Sequence, residues 1–178
     1  MMRNASRLWL GIGVLVAAMT VGSALAASPP RSLPSLLFPL RASLDARQAV
    51  PAPKVAAPAA TGRLEGALIR NVSQKRGEGL TIAWSLSWKL TTSGLTGPMT
   101  AAQIHTGRPG ETGPVVLSLC APCTSPARGV VRNLTKEQAS VLRRSDLYVD
   151  IQTAANPSGE IRGQVTRRSP VRPGAPRP

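Results

Sequence analysis

In GLTIAWSLSWKLT, residues 79–91, the apolar side chains fall on every second position. Small or polar residues and one lysine occupy the positions between them. Successive side chains of a β-strand point to opposite faces, so this alternation predicts a strand with one apolar face and one solvent face. The apolar positions are Leu80, Ile82, Trp84, Leu86, Trp88 and Leu90.

Further strands are predicted on both sides of this one. GRLEGALI (62–69) precedes it, and LYVDIQT (147–153) places Leu147, Val149 and Ile151 on one face. Turns rich in glycine and proline separate the strands at short intervals, as an antiparallel sandwich or barrel requires. We therefore predict an all-β fold, an antiparallel β-sandwich with one short helix.

The helix is predicted after Thr135. Thr135 and Gln138 have the spacing of a capping box, and Ala139, Val141 and Leu142 would give a short apolar face. We expect this helix to cover an open end or edge of the sheet, because exposed strand edges pair with other chains.

The N-terminus predicts export. Arg3 and Arg7 precede an apolar stretch from Leu8 to Val21, and Ala24-Leu25-Ala26 is of the A-x-A type that signal peptidase cleaves. We expect a signal peptide at 1–26 and a secreted or periplasmic product without stable membrane insertion after cleavage. The alternative is an uncleaved anchor, since the stretch approaches the roughly 20 apolar residues of a spanning helix.

Prolines divide the remaining chain. SPPRSLPSLLFPL spans residues 28–40, VPAPKVAAPAA spans 50–60, and SPVRPGAPRP spans 169–178. Proline at this spacing blocks helices and central strands. We therefore predict a linker over 27–59, a folded domain over 60–166 and a basic disordered tail over 167–178.

The net charge is +14, and more than half of the excess after the signal lies in these flanks. Basic residues do not alternate with aromatic ones, so bases would find no stacking platform, and nucleic acid is not an expected partner. Basic flanks attract anionic surfaces in a salt-dependent way.

Cys120 and Cys123 are the two cysteines, spaced C-A-P-C. A redox role would need a helix amino terminus beside the thiols, and a metal would need two further ligands. In an oxidising compartment we expect a disulfide that closes this loop.

Two stretches, AAQIHTGRPGETGPVVLSL (101–119) and LYVDIQTAANPSGEIRGQV (147–165), resemble the CHRD domain, named after chordin and also found in exported bacterial proteins. The resemblance covers about residues 60–166. It implies an extracellular immunoglobulin-like or superoxide-dismutase-like β-sandwich, and no catalytic residues can be carried over from the family. The motif residues are Gly107, Gly113, Pro114, Asn156, Pro157, Gly159, Glu160, Arg162 and Gly163.

The chain departs from the family pattern at two histidines. Members of the family carry the motifs H-I-H-x-G and N-x-H-T. In this chain Gln103 replaces the first histidine of the first motif and Gln152 replaces the histidine of the second, so His105 is its one histidine. If the strands are neighbours, Gln103, His105, Asp150 and Gln152 would form a polar surface cluster. Glutamine amides bind transition metals poorly, so we expect a hydrogen-bonded network and no metal there.

Glu160 and Arg162 would share one face after the turn that precedes them. We expect an exposed pair, worth ~0–1 kcal/mol. A role for Arg162 in binding carboxylates, sulfates or phosphates is the alternative.

No nucleophile with a partnering base and no paired acids are visible, so no catalytic residue, cofactor or enzymatic activity is assigned. We expect an exported, non-catalytic binding or structural module of the cell envelope or extracellular space. Its partner would be an extracellular or envelope protein or an anionic polysaccharide. The alternative is a metal-binding oxidoreductase of the superoxide-dismutase kind, but a copper and zinc site needs many imidazoles, and this chain has one.

Overall fold

The structure is a computed structural model that describes residues 31–74 and 77–173. The predicted signal segment lies outside these residues. Within them no helix is long and apolar enough to cross a membrane. The described residues are mostly antiparallel strands with one short α-helix, so the predicted all-β fold is confirmed.

The strands are β1 (Arg31–Asp45), β2 (Thr61–Gln74), β3 (Leu80–Ser93), β4 (Met99–Thr106), β5 (Val115–Cys120), β6 (Ala127–Leu134), β7 (Leu147–Thr153), β8 (Ile161–Gln164) and β9 (Thr166–Arg167). The helix α1 spans Lys136–Arg144, and a single turn of 3-10 helix spans Ala46–Gln48.

The strands form one continuous antiparallel sheet in the order β5-β4-β7-β8-β1-β2-β3-β6, with β9 beside β1. The sheet folds into two halves, β5-β4-β7-β8 and β1-β2-β3-β6, which are joined where Asp45 of β1 pairs with Arg162 of β8. Side chains of both halves enclose one aliphatic core. The result is a sandwich that is nearly closed, like a barrel.

The alternation in β3 is confirmed over most of its length, because Trp84, Leu86, Trp88 and Leu90 are buried in the core. Leu80 lies on the same face and is 60% exposed. The strand has 14 residues, whereas β7 in the facing half has 7. The apolar face of β3 therefore continues past the part that the other half covers.

The predicted linker is wrong for residues 31–45, which form β1 and pair with β2 over nearly their whole length. Leu40, Ala42 and Leu44 alternate into the core. The prolines do not break the ladder between β1 and β2: Pro34 lies in a register shift, and the Pro39 carbonyl accepts from Arg168 on the β9 side. The Pro39 nitrogen faces that same side, so no bond to β2 is lost.

Residues 46–59 of the predicted linker also pack against the domain. Ala49 and Ala57 are buried, as is Ala60 at the start of the predicted domain. The Val55 amide donates to Asn156 Oδ1 at 2.9 Å, and Asn156 Nδ2 donates to the Val55 carbonyl at 3.1 Å. Residues 46–60 therefore follow the surface of the domain.

The predicted disordered tail is wrong for its first residues. Thr166–Arg167 form β9, and Val171 exchanges two backbone hydrogen bonds with Leu37 of β1, at 2.9 and 2.8 Å. Residues 174–178 lie outside the described part of the chain.

The predicted helix is confirmed, with both hydrogen bonds of the capping box between Thr135 and Gln138 present. Ala139 and Leu142 are buried in the core. The Arg143 guanidinium lies 5.2 Å from the Trp84 ring centroid and 5.7 Å from that of Phe38. The helix therefore covers the core beside β1 and β3.

Candidate functional site

The strands that carry the predicted polar cluster are neighbours. Gln103 of β4 is the register partner of Asp150 of β7, while Ile104 points into the core as predicted. Gln152 Nε2 donates to Gln103 Oε1 at 3.2 Å and to Asp150 Oδ2 at 3.3 Å. Three of the four predicted residues therefore form one hydrogen-bonded group.

His105, the fourth residue, is held by other partners. Its ring is stacked on Tyr148, with centroids 4.8 Å apart and 8° between the planes. Its Nδ1 lies 3.0 Å from the Gly113 carbonyl oxygen and therefore donates to it. Nε2 is buried and has no hydrogen-bond partner among the described residues. The imidazole thus acts as a packing element between β4, β7 and the following loop.

Arg162 completes this stack from β8. Its guanidinium carbon lies 3.5 Å from the Tyr148 ring centroid, and Nη2 donates to the Arg108 carbonyl at 2.8 Å. The Gly113 amide in turn donates to the Tyr148 hydroxyl at 3.3 Å. These contacts fold the loop of residues 107–114 back over the outer side of the sheet.

The cluster differs from the surface site that we expected, since Asp150 is only 7% exposed. Burial raises the pKa of the Asp150 carboxyl, and the hydrogen bond from Gln152 and the charge of Arg162 offset this only in part. Gly159 also approaches the carboxylate closely: a Cβ at this position would lie 2.2 Å from Asp150 Oδ1. Gly159 has φ +116, which disfavours other residues.

The prediction of an exposed Glu160–Arg162 pair is wrong. Glu160 is 0% exposed and Arg162 is 1% exposed, because loops cover both side chains. Arg162 meets Tyr148 and the Arg108 carbonyl, as described above. With 1% of its surface exposed, Arg162 offers no open face to a ligand.

Glu160 instead joins three segments of chain. Its carboxylate accepts from the amide and hydroxyl of Thr96, the hydroxyl of Thr153 and the side-chain amide of Asn156. Burial alone would raise its pKa, but these hydrogen bonds outweigh burial, so the pKa of Glu160 is lowered. The N-P-S-G-E stretch therefore acts as a structural turn that fastens the β3–β4 connection and the 46–60 segment.

The remaining motif residues serve close packing. A Cβ at Gly163 would lie 2.3 Å from the Ser43 carbonyl oxygen, where β8 meets β1. A Cβ at Gly113 would lie 2.0 Å from the Thr106 carbonyl oxygen. The Pro114 carbonyl accepts from the Thr106 amide at 3.1 Å. The first motif therefore holds its loop tightly against the end of β4.

The two cysteines are placed for the disulfide that we predicted. The sulfur atoms of Cys120 and Cys123 lie at disulfide distance, 2.12 Å apart, and close the turn that follows β5. Among the described residues, no group of three or more histidine, cysteine, aspartate and glutamate side chains is placed to hold a metal ion.

Strand pairing gathers a group of charges on one face of the domain, a feature that the distribution of charge along the chain does not predict. Arg41, Glu65, Lys89 and Arg128 are successive register partners across β1, β2, β3 and β6. We call these four residues the cationic row. Register partners share a face, and here it is the face opposite the core. Arg41, Lys89 and Arg128 are exposed.

The CHRD domain profile matches residues 40–165, a range that begins inside β1 and ends just before β9. No similar curated protein and no similar solved structure was found.

Proposed function

Because this chain belongs to the CHRD domain family, we propose that it is an exported, non-catalytic binding or structural module of the cell envelope or extracellular space. Its partner would be an envelope or extracellular protein or an anionic polysaccharide. The family supports an extracellular domain with a binding role, and the predicted signal peptide supports export.

The observation that carries the proposal is the packing of His105. A general acid or base must reach the atom to which it transfers a proton. The one histidine of this chain instead stacks on Tyr148 and donates from Nδ1 to the Gly113 carbonyl. Asp150 and Glu160 are buried and hydrogen bonded to neighbouring side chains. These groups support the fold, which favours a role in binding through the surface.

Metal analysis and activity together test the non-catalytic part. We would express the chain from its full sequence, recover it without chelator, and measure bound transition metals and superoxide dismutation. We expect neither a stoichiometric metal nor activity, and His105→Gln should change neither. A stoichiometric metal that disappears in His105→Gln, together with dismutation, would replace the binding module by the oxidoreductase.

Two measurements test the binding part. Fractionation should find the protein in the periplasm or medium, with its N-terminus at Ala27. Immobilised protein should retain a saturable component of envelope extract or of purified anionic polysaccharide. A protein that stays in the cytoplasm, or that retains neither class, would contradict the proposal.

A further inference from the structure

We propose that the cationic row binds an anionic polysaccharide that lies across the strands of the β1-β2-β3-β6 half. This inference rests on the proposed binding function and adds to it a ligand class and a site. Its basis is the arrangement of charges that the tertiary structure produces on this face.

The row is a continuous band of charge. Neighbouring strands lie about 4.8 Å apart, so the four residues span about 14 Å across the sheet. Glu65 lies among these cations, and Arg63 adds a further cation beside it, since Arg63 Nη2 lies 3.0 Å from Glu65 Oε1. The hydrogen bond from Arg63 lowers the pKa of Glu65, which keeps that carboxylate ionised and paired. Arg41, Arg63, Lys89 and Arg128 together with Glu65 therefore carry a net charge of +3.

Shallow depressions lie at both ends of the row. One, of about 430 Å³, is lined by Ser87, Lys89 and Arg128, together with Glu65, the buried Trp88 and two small residues of β2. The other, of about 400 Å³, is lined by Arg41, Arg63 and Ser43, again with others. Guanidinium and ammonium groups bind sulfate and carboxylate, and serine hydroxyls can donate to or accept from sugar hydroxyls. Each depression therefore combines charge with neutral polar groups, as a charged sugar requires.

The surroundings of the row favour a polysaccharide over the other anionic polymers. The residues two positions before and after each member of the row share its face, and all of them lie in the described part of the chain. None has an aromatic side chain that could stack on a base. Val130 is the one branched aliphatic residue among them, whereas membrane surfaces bind proteins that bury large apolar faces. These neighbours are Pro39, Ser43, Arg63, Ala67, Ser87, Thr91, Pro126 and Val130.

The test compares two variants of equal charge. The row variant combines Arg41→Gln, Lys89→Gln and Arg128→Gln. The control variant combines Lys54→Gln, Lys136→Gln and Arg144→Gln, three exposed cations away from this face. We would titrate heparin, as a sulfated probe, and polygalacturonate, as a carboxylated probe, into each protein at several salt concentrations.

We expect the row variant to bind at least one probe about tenfold more weakly and with a shallower salt dependence, because fewer counterions are released. The control should lose less than about threefold. Thermal unfolding must be unchanged in both triple variants; if the row variant is less stable, Lys89→Gln alone should still weaken binding more than Lys136→Gln alone.

Three results would overturn the inference. Equal weakening in both variants would mean that net charge alone attracts the probes, and absent binding of both probes would exclude the ligand class. Tighter binding of duplex DNA or of anionic phospholipid vesicles, lost in the row variant, would assign the face to those partners. If the immobilised protein retains an envelope protein from the extract, the proposed binding function stands even where one of these three results overturns the inference.

Discussion

The guanidinium carbon of Arg162 lies 3.5 Å from the centroid of the Tyr148 ring, and the fully folded chain buries both residues. This contact joins β8 to β7, and the hydrogen bond from Arg162 to the Arg108 carbonyl adds the 107–114 loop. A cation over an aromatic ring is worth up to about 2 kcal/mol when it is desolvated. Arg162 is therefore a structural centre of the domain.

Replacing this cation should destabilise the fold. We expect Arg162→Met to lower the free energy of unfolding by about 2–4 kcal/mol, since it removes the ring contact and a charged hydrogen bond while it keeps the aliphatic stem. Urea denaturation measures the change. Arg108→Gln is the control: it keeps the accepting carbonyl, loses only a surface pair with Asp146, and should cost about 0–1 kcal/mol. Equal losses would contradict this role of Arg162.

Asp150 should make stability depend on pH. Burial raises its pKa above the ordinary value of 3.8, so the folded state binds the proton more tightly than the unfolded state. Stability from this group therefore falls as pH rises through the window that begins at 3.8. We expect Asp150→Asn to be more stable than the wild type at pH 7, and this difference to shrink as the pH is lowered towards 3.8 and to stay small below it.

Urea denaturation at several pH values checks this prediction for Asp150. Asp146→Asn, which changes an exposed carboxylate, should show no such pH-dependent gain. A loss of stability in Asp150→Asn at pH 7 would mean that the ionised carboxylate is needed.

The contact between Gly163 and Ser43 should not tolerate a side chain. A Cβ at Gly163 would meet the Ser43 carbonyl oxygen at 2.3 Å, where the two halves of the sheet join. We expect Gly163→Ala to cost about 1–3 kcal/mol, because β8 must move away from β1. Gly79→Ala is the control, since nothing lies within 4 Å of a Cβ there. Thermal unfolding of both variants measures the difference, and similar melting temperatures would refute the close approach.

The role of β1 can be tested inside the predicted linker. Leu40 is buried in the core, so Leu40→Ala should lower the free energy of unfolding by about 2–5 kcal/mol. Val55 lies in the same predicted linker with an exposed side chain, and Val55→Ala should change stability by less than about 0.5 kcal/mol. A neutral Leu40→Ala in chemical denaturation would restore the linker interpretation.

Local patterns predicted the elements whose signals lie in adjacent residues. The alternation of β3 and the capping box at Thr135 and Gln138 were confirmed, since strand faces and helix starts depend on residues a few positions apart. The same logic placed Gln103 and His105 on one face and Ile104 in the core. The prediction failed for β1 because prolines at such close spacing are typical of a linker. Pro34 is accommodated by a register shift between β1 and β2, and Pro39 by its orientation towards β9. Both features depend on strands that lie far from β1 along the chain.

Local sequence patterns established an all-β chain with one capped helix, a C-A-P-C pair at disulfide spacing and one histidine without imidazole partners. Tertiary packing established that Glu160 and Arg162 are buried with separate partners and that the Asp150 carboxylate lies against Gly159 and Gln152. It also brought Arg41, Lys89 and Arg128 onto one face. Strand register explains this division. Periodicity fixes the face to which a side chain points, whereas the residues that stand beside it depend on pairing between strands distant in the chain.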